Sequence, residues 1–140
     1  MNMRKIFVYF FVVAAFIVSG SCSSKKPPSP PPVTEANLVV TINPPDGSTQ
    51  AAAAQTDFPL SVAITSAMPS QGVTISVSAK KDDGSGAAAF FTTSTSTSSS
   101  ASNFTITGTP TGVVCLTTVT VTSKTKATNT WTGTYRYSRK

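Results

Sequence analysis

The sequence predicts an all-β domain, a sandwich of antiparallel strands that follows an apolar leader and a proline-rich segment. From residue 36 onward, apolar residues alternate with hydroxyl-bearing or charged ones, which is the pattern of half-buried strands. Turn-forming residues such as Asp46-Gly47 and Gly108 interrupt this alternation, and no stretch after the leader carries an apolar stripe of helical period. A chain of 140 residues is expected to form one such core.

Seven candidate strands follow from the alternation. The fourth, residues 87–93, is rich in alanine and carries Phe90 and Phe91 on opposite faces. Residues 92–100 all bear hydroxyls, so that one strand register is as good as another, and we expect a mobile loop or a ragged edge there. Residues 51–54 are expected to make at most one helical turn. The other six strands have shared faces formed by Leu38, Val40 and Ile42; by Phe58, Leu60, Val62 and Ile64; by Val73, Ile75, Val77 and Ala79; by Phe104 and Ile106; by Val113, Cys115, Val119 and Val121; and by Trp131, Tyr135 and Tyr137.

Seven short strands within residues 36–140 resemble bacterial immunoglobulin-like and fibronectin-III-like domains. The resemblance implies a seven-stranded antiparallel Ig-like β-sandwich. The chain departs from the antibody type in three ways. No cysteine on the second strand is available to pair with Cys115, no tyrosine lies two places before Cys115, and the one tryptophan, Trp131, is on the last strand.

The first residues have the form of a signal peptide. Arg4 and Lys5 give the start of the chain two positive charges, and residues 6–18 are an unbroken apolar or aromatic run. A helix that crosses the hydrocarbon of a membrane needs about 20 apolar residues, so this run is short for a permanent span. The alternative is an N-terminal anchor helix that is not cleaved.

Small residues precede a cysteine at Val18-Ser19-Gly20-Ser21-Cys22, and this stretch resembles the lipobox of bacterial lipoproteins, although Ser19 stands where leucine is usual. The resemblance implies that residues 1–21 are removed and that Cys22 becomes the acylated first residue, with membrane lipid as its partner. Two or three acyl chains give lasting attachment, since each buried methylene contributes about 0.8 kcal/mol. The alternative is secretion and a disulfide between Cys22 and Cys115.

Residues 22–35 are interpreted as the lipidated cysteine and a tether rich in serine, lysine and proline. Residues 23–32 carry five prolines and favour polyproline II, which at about 3.1 Å per residue reaches on the order of 30 Å. Ser23 stands where many enterobacterial inner-membrane lipoproteins carry aspartate, so the resemblance implies sorting to the outer membrane. Lys25 and Lys26 stand where a surface-export signal places acidic residues, which leaves the periplasmic and the surface face both open.

The composition argues against an enzyme. There is no histidine, which removes Ser-His-Asp and Cys-His catalysis and most zinc sites. The adjacent pair Asp82 and Asp83 lies in a Gly-rich turn that lacks the spaced acids of a calcium loop, so we expect a plain hairpin turn. We therefore predict no catalytic residue, no metal and no cofactor. The acidic residues are Glu35, Asp46, Asp57, Asp82 and Asp83.

The remaining candidate residues are basic or aromatic. The chain without its leader has a net charge of +4, with Lys124 and Lys126 in the last hairpin loop and Arg136, Arg139 and Lys140 near the end of the chain. Charges this scattered do not indicate nucleic-acid binding and are read as solubilising, with anionic headgroups or glycan phosphates as the alternative. The Trp131, Tyr135 and Tyr137 face is expected to pack in the core, with a sugar-stacking platform as the alternative. Cys115 is expected to be a packed core thiol.

Anchor, tether and sandwich together predict a lipid-anchored protein of the cell envelope with a non-enzymatic module for binding, adhesion or accessory function. An envelope protein or a glycan is the expected partner. Two alternatives stay open: a structural subunit of a surface layer or pilus that pairs through strand edges, and a carbohydrate-binding module.

Overall fold

The structure is a computed structural model that describes residues 34–140. The predictions for the signal peptide, for acylation of Cys22 and for most of the tether concern residues 1–33, which lie outside the described residues, and they stay predictions. The prediction of an all-β sandwich concerns the described part and can be compared with it.

The all-β prediction is confirmed. The described residues form seven antiparallel strands in two sheets, and none of them belongs to a helix that could cross a membrane. The strands are β1 (Val40–Asn43), β2 (Phe58–Ile64), β3 (Val73–Lys81), β4 (Phe91–Thr97), β5 (Ala101–Ile106), β6 (Val114–Ser123) and β7 (Thr130–Ser138).

The strand order is β1-β2-β5 in the three-stranded sheet and β4-β3-β6-β7 in the four-stranded sheet. In constant-type immunoglobulin domains the fourth strand lies in the sheet of the first, second and fifth strands. Here β4 pairs with β3 and extends the other sheet. The architecture is an Ig-like sandwich with a switched fourth strand.

The core lies between the two sheets and consists of the alternate apolar residues of nearly every strand. In β3, for example, Val73, Ile75, Val77 and Ala79 are fully buried, and the residues between them carry hydroxyls that face outward. This alternation is what fixes the register, because a slip of one residue would place hydroxyls in the core. The other buried apolar residues are Leu38, Val40, Ile42, Phe58, Leu60, Val62, Ile64, Ile106, Cys115, Val119, Val121, Tyr135 and Tyr137.

The fourth strand differs from the prediction. Residues 87–93 were expected to form it, with a mobile loop or ragged edge after it, whereas β4 covers Phe91–Thr97 and therefore most of the hydroxyl run. Its register against β3 is continuous from the pair Val73 and Thr97 to the pair Ala79 and Phe91. The apolar alternation of β3 dictates this register, since the hydroxyl run contains no alternation of its own.

The connection between β1 and β2 crosses from one sheet to the other. Residues 47–53 run parallel to β7 and exchange main-chain hydrogen bonds with it, among them Gly47 N to Thr134 O at 2.7 Å, Arg136 N to Ser48 O at 2.8 Å and Gln50 N to Arg136 O at 2.8 Å. Residues 51–54, for which at most one helical turn was expected, form no helical turn. The free carbonyls and N–H groups of β7 favour an extended partner there. Residues 47–53 thus cover the β7 edge of the four-stranded sheet.

The strand directions define two ends of the sandwich. The N-terminal pole comprises residues 34–39 and the loops 65–72, 98–100 and 124–129. The C-terminal pole comprises the loops 44–57, 82–90 and 107–113 and the last residues of the chain. Thr34, the first described residue, therefore lies at the pole opposite to the long β1–β2 connection.

Asn129, in the β6–β7 loop, fixes the start of the domain at the N-terminal pole. Its Oδ1 accepts a hydrogen bond from Leu38 N at 2.9 Å, and its Nδ2 donates to Ala36 O at 2.9 Å and to the carboxylate of Glu35. Asn129 is 7% exposed, so these bonds satisfy groups that water does not reach freely. One side chain thus determines where the tether leaves the sandwich.

The first prediction concerns this side chain. Asn129→Ala is expected to lower the free energy of unfolding by about 1–3 kcal/mol, because the buried Leu38 N–H loses its acceptor. Urea unfolding of the full chain measures it. The matched control is Asn37→Ala at an exposed position of the same segment, which should change stability by less than about 0.5 kcal/mol. Equal effects of the two substitutions would contradict this role of Asn129.

Candidate functional site

A cavity of about 280 Å³ lies at the C-terminal pole, where residues 47–53 cross from β1 to the side of β7. We call it the tyrosine cavity. Its volume is close to the lower end of the range of about 300–1,000 Å³ that is typical of small-ligand sites. The residues that line it are Asn43, Pro44, Gln50, Ala51, Ala53, Gln55, Phe58, Pro59, Ser61, Tyr135 and Tyr137.

The lining of the tyrosine cavity combines aromatic rings with carboxamides. The rings of Phe58 and Tyr137 are 4.4 Å apart between centroids and inclined by 52°, and Tyr135 follows at 5.9 Å from Tyr137. Gln50 lies in the crossing segment and Gln55 two residues after it, and both line the cavity together with these rings. No residue that lines this cavity in the described part of the chain is charged. The cavity is suited to an uncharged ligand that has both polar and apolar groups.

The two tyrosines have different hydrogen bonding. The hydroxyl of Tyr137 lies 3.0 Å from Thr109 Oγ1 and shares a hydrogen bond with it. Within the described residues, the buried hydroxyl of Tyr135 has no hydrogen bond of good geometry. The buried hydroxyl of Thr117 also has none, but it is near enough to affect the pKa of Tyr135. Burial raises the pKa of Tyr135, and the Thr117 hydroxyl opposes this rise. Burial also raises the pKa of Tyr137 to about 12, although the hydrogen bond with Thr109 lowers it. Both phenols are neutral at physiological pH.

Core packing of the aromatic face is supported, and the sugar-stacking platform is not formed. Tyr135 and Tyr137 are 2% exposed, so their ring faces are not available as an open surface. Trp131 is half-buried and covers Gly133, where even a Cβ atom would collide with the indole ring. Trp131 does not line the tyrosine cavity, whereas both tyrosines do. Sequence alternation placed these residues on one face but could not show that the face becomes a cavity.

Most of the outer face of the four-stranded sheet consists of hydroxyl-bearing residues, and Lys80, Leu116 and Arg136 form a further row beside them. In three successive rows across β4, β3, β6 and β7, every outward residue is serine or threonine, and we call this surface the hydroxyl face. Hydroxyls bridge neighbouring strands, for example Ser76 to Ser94 at 3.1 Å and Thr74 to Ser96 at 3.2 Å. The rows are Ser96, Thr74, Thr122 and Thr130; Ser94, Ser76, Thr120 and Thr132; and Thr92, Ser78, Thr118 and Thr134.

The carboxylates of Asp82 and Asp83 in the acidic turn each have a partner. Asp82 accepts a hydrogen bond from Arg136 Nε at 2.6 Å, and Asp83 Oδ1 accepts one from Ser85 N at 3.0 Å. The hydrogen bonds from Ser85 lower the pKa of Asp83. Within residues 34–140, no three acidic or cysteine side chains gather as a metal site would require. Asp83 thus has a contact within its own turn, whereas Asp82 pairs with Arg136 of β7.

The basic residues divide between the poles. Lys124 and Lys126 are exposed in the β6–β7 loop of the N-terminal pole. Arg136 pairs with Asp82 at the other end, where Arg139 Nη1 donates to Thr109 O at 3.2 Å. These residues do not form one basic surface, in line with scattered solubilising charge.

Cys115 is a core residue, as expected. Its side chain has no accessible surface, and its thiol makes only a weak contact, 3.9 Å to Val113 O. Burial raises the pKa of the thiol, and Asp83 adds to this, while Lys81 opposes it. The protonated, enclosed thiol is a poor nucleophile.

Comparison of this chain with family models, with curated proteins and with solved structures gives no match.

The second prediction compares the two tyrosines. Tyr137→Phe is expected to lower the free energy of unfolding by about 1–2 kcal/mol, because it removes a buried hydrogen bond and leaves Thr109 Oγ1 without its partner. Tyr135→Phe should leave stability unchanged or raise it by up to about 1 kcal/mol, since its hydroxyl is buried without a hydrogen bond. Urea unfolding of both variants provides the test, and the reverse order would contradict the described hydrogen bonding.

The third prediction concerns alkaline pH. The pKa of Tyr137 is about 12 in the fold and 10 for the free side chain, so the unfolded chain ionises first. Stability is fully present below about pH 10 and should fall by about 2 kcal/mol through Tyr137 as the pH rises to 12. Unfolding curves at several pH values measure this, with Tyr137→Phe as the variant that loses part of the dependence. A flat profile in the wild type would refute it.

Proposed function

We propose that this protein is a lipid-anchored lipoprotein of the cell envelope whose Ig-like domain is a non-enzymatic binding module. The observation that carries the proposal is the position of the tyrosine cavity. It lies at the C-terminal pole, whereas the chain joins the domain at the N-terminal pole. A tether attached to Cys22 would therefore hold the cavity away from the membrane, where a partner can reach it.

The side chains around the cavity support binding rather than catalysis. Its lining residues include no carboxylate, and the pKa of Tyr137 is too high for that phenol to act as a general base near neutral pH. Amides and buried aromatic rings orient a ligand without transferring protons. Lys124 and Lys126 at the N-terminal pole would lie on the side of anionic headgroups.

The fourth prediction tests the anchor. Cys22→Ser is expected to move the full chain from the membrane fraction to the soluble fraction, because no thiol remains at that position to accept a lipid. The measurement is fractionation of cells followed by detection of the protein, with Ser23→Ala as the neighbouring control that should stay in the membrane. Persistence of the Cys22→Ser protein in the membrane would show that the leader itself is the anchor.

The fifth prediction tests the cavity without assuming a ligand class. Ala51 lines the cavity and is exposed, so Ala51→Trp is expected to fill the space without disturbing the core. In detergent, which removes the contribution of the acyl chains, the full chain should bind immobilised envelope extract, and this variant should lose at least about tenfold in affinity, the equivalent of about 1.4 kcal/mol. The matched control is Ala67→Trp, at an exposed position of the N-terminal pole. Equal binding of both variants would remove the cavity from the function.

A structural subunit is the second candidate, and the edge at β4 favours it. This strand has no charge, no proline and no bulge in its register, which are the devices that prevent edges from pairing. Sedimentation of the concentrated full chain in detergent distinguishes the candidates: filaments that disappear in Thr95→Lys support a structural subunit, and a monomer at every concentration rules it out.

A further inference from the structure

We infer that the tyrosine cavity binds an uncharged sugar unit of an envelope glycan. The inference rests on the proposed binding function and adds the chemical class of the ligand. It follows from three features of the cavity: its carboxamides, its aromatic and proline surfaces, and its lack of charge.

The carboxamides provide the polar half of the recognition. Gln50, Gln55 and Asn43 each offer two N–H donors and a carbonyl acceptor, a combination that matches hydroxyl groups on adjacent carbons of a sugar ring. Gln50 is already positioned, because its Nε2 donates to Ser48 Oγ at 2.9 Å while its main-chain N–H is held by Arg136 O. Its Oε1 has no hydrogen bond within the described residues and is available as an acceptor.

Proline, alanine and ring atoms that line the cavity provide the apolar half. Phe58 and Tyr137 line it as nearly buried rings in tilted contact, and Pro44, Pro59 and Ala51 line it as more exposed apolar surfaces. A pyranose ring has C–H groups on its faces that pack against such surfaces, while its hydroxyls point outward from the ring edge. The cavity therefore offers polar groups for the hydroxyls and apolar surfaces for the C–H groups of one sugar unit.

The lack of charge selects among glycans. A phosphate, a uronic acid or a sialic acid would lose its hydration on entering the cavity, and no lysine or arginine lines the cavity to compensate. A neutral hexose or N-acetylhexosamine does not have this cost. The ligand class is thus a neutral sugar rather than an acidic one.

Titration calorimetry of the full chain in detergent tests the inference. The probes are methyl glycosides of glucose, galactose, mannose and N-acetylglucosamine and neutral oligosaccharides of each, with glucuronic acid and sialic acid as charged probes. A synthetic peptide of residues 23–32 serves as the proline-rich alternative, because prolines also pack on aromatic surfaces. We expect saturable binding of at least one neutral sugar and at least tenfold weaker binding of the acids.

The variants Gln50→Ala and Gln55→Ala should each reduce the affinity for that sugar about tenfold, the value of one hydrogen bond to an uncharged group. Gln71→Ala is the matched control, an exposed glutamine at the other pole, and should bind like the wild type. Deoxy analogues that lack one ring hydroxyl should lose affinity in the wild type and lose little further in the Gln50 variant.

Three outcomes would overturn the inference: no neutral sugar binds, an acidic sugar or the peptide binds in its place, or Gln71→Ala weakens sugar binding as much as Gln50→Ala does. If no sugar binds but Ala51→Trp still abolishes envelope binding, the ligand class is wrong and the binding function stands. If Ala51→Trp has no effect on envelope binding either, the binding function fails with it.

Discussion

The main-chain hydrogen bonds between residues 47–53 and β7 are the constraint on which the C-terminal pole depends. They draw the chain away from β1, cover the β7 edge of the four-stranded sheet and leave a gap at this pole. The gap is the tyrosine cavity, and its lining includes residues of the crossing segment together with Phe58, Tyr135 and Tyr137. The covered β7 edge and the tyrosine cavity thus both result from the crossing of residues 47–53 from β1 to β7.

The same alternation of residues produces two contrasting surfaces. Inward residues are almost all apolar and form the core, and outward residues on the four-stranded sheet are serine and threonine in three complete rows. This explains how a chain with only 11% charged residues presents a polar exterior. The hydroxyl face contains neither a charge nor an aromatic ring in those rows, so it lacks the side chains that usually anchor a partner.

The sequence was sufficient for the strands whose inner residues are apolar and alternate, such as β2 and β3, because there only one register buries the core. It was insufficient for β4, whose hydroxyl run has no preferred register until β3 supplies one. The pairing of residues 47–53 with β7 and the role of Asn129 rest on contacts between distant parts of the chain. No local pattern encodes such contacts, and the turn-forming residues 43–47 indicated only that the first strand ends there.

The tyrosine cavity was missed for a related reason. Tyr135 and Tyr137 were correctly assigned to an inward face, but whether an inward face is filled or left partly open depends on what crosses it. Gln50 and Gln55 carried no signal at all, since isolated glutamines in a loop are ordinary polar residues. Their candidate role in binding follows only from the cavity that they line together with the aromatic rings.

We propose that the C-terminal pole, and not the sheet surfaces, contacts the ligand. NMR chemical-shift mapping tests this proposal most directly, with the full chain in detergent micelles and neutral oligosaccharides released from the envelope as the titrant. We expect the shifted amides to cluster in residues 50–55 and 58–61 and at Tyr135 and Tyr137. Shifts confined to the hydroxyl face, to β4 or to the N-terminal pole would contradict it.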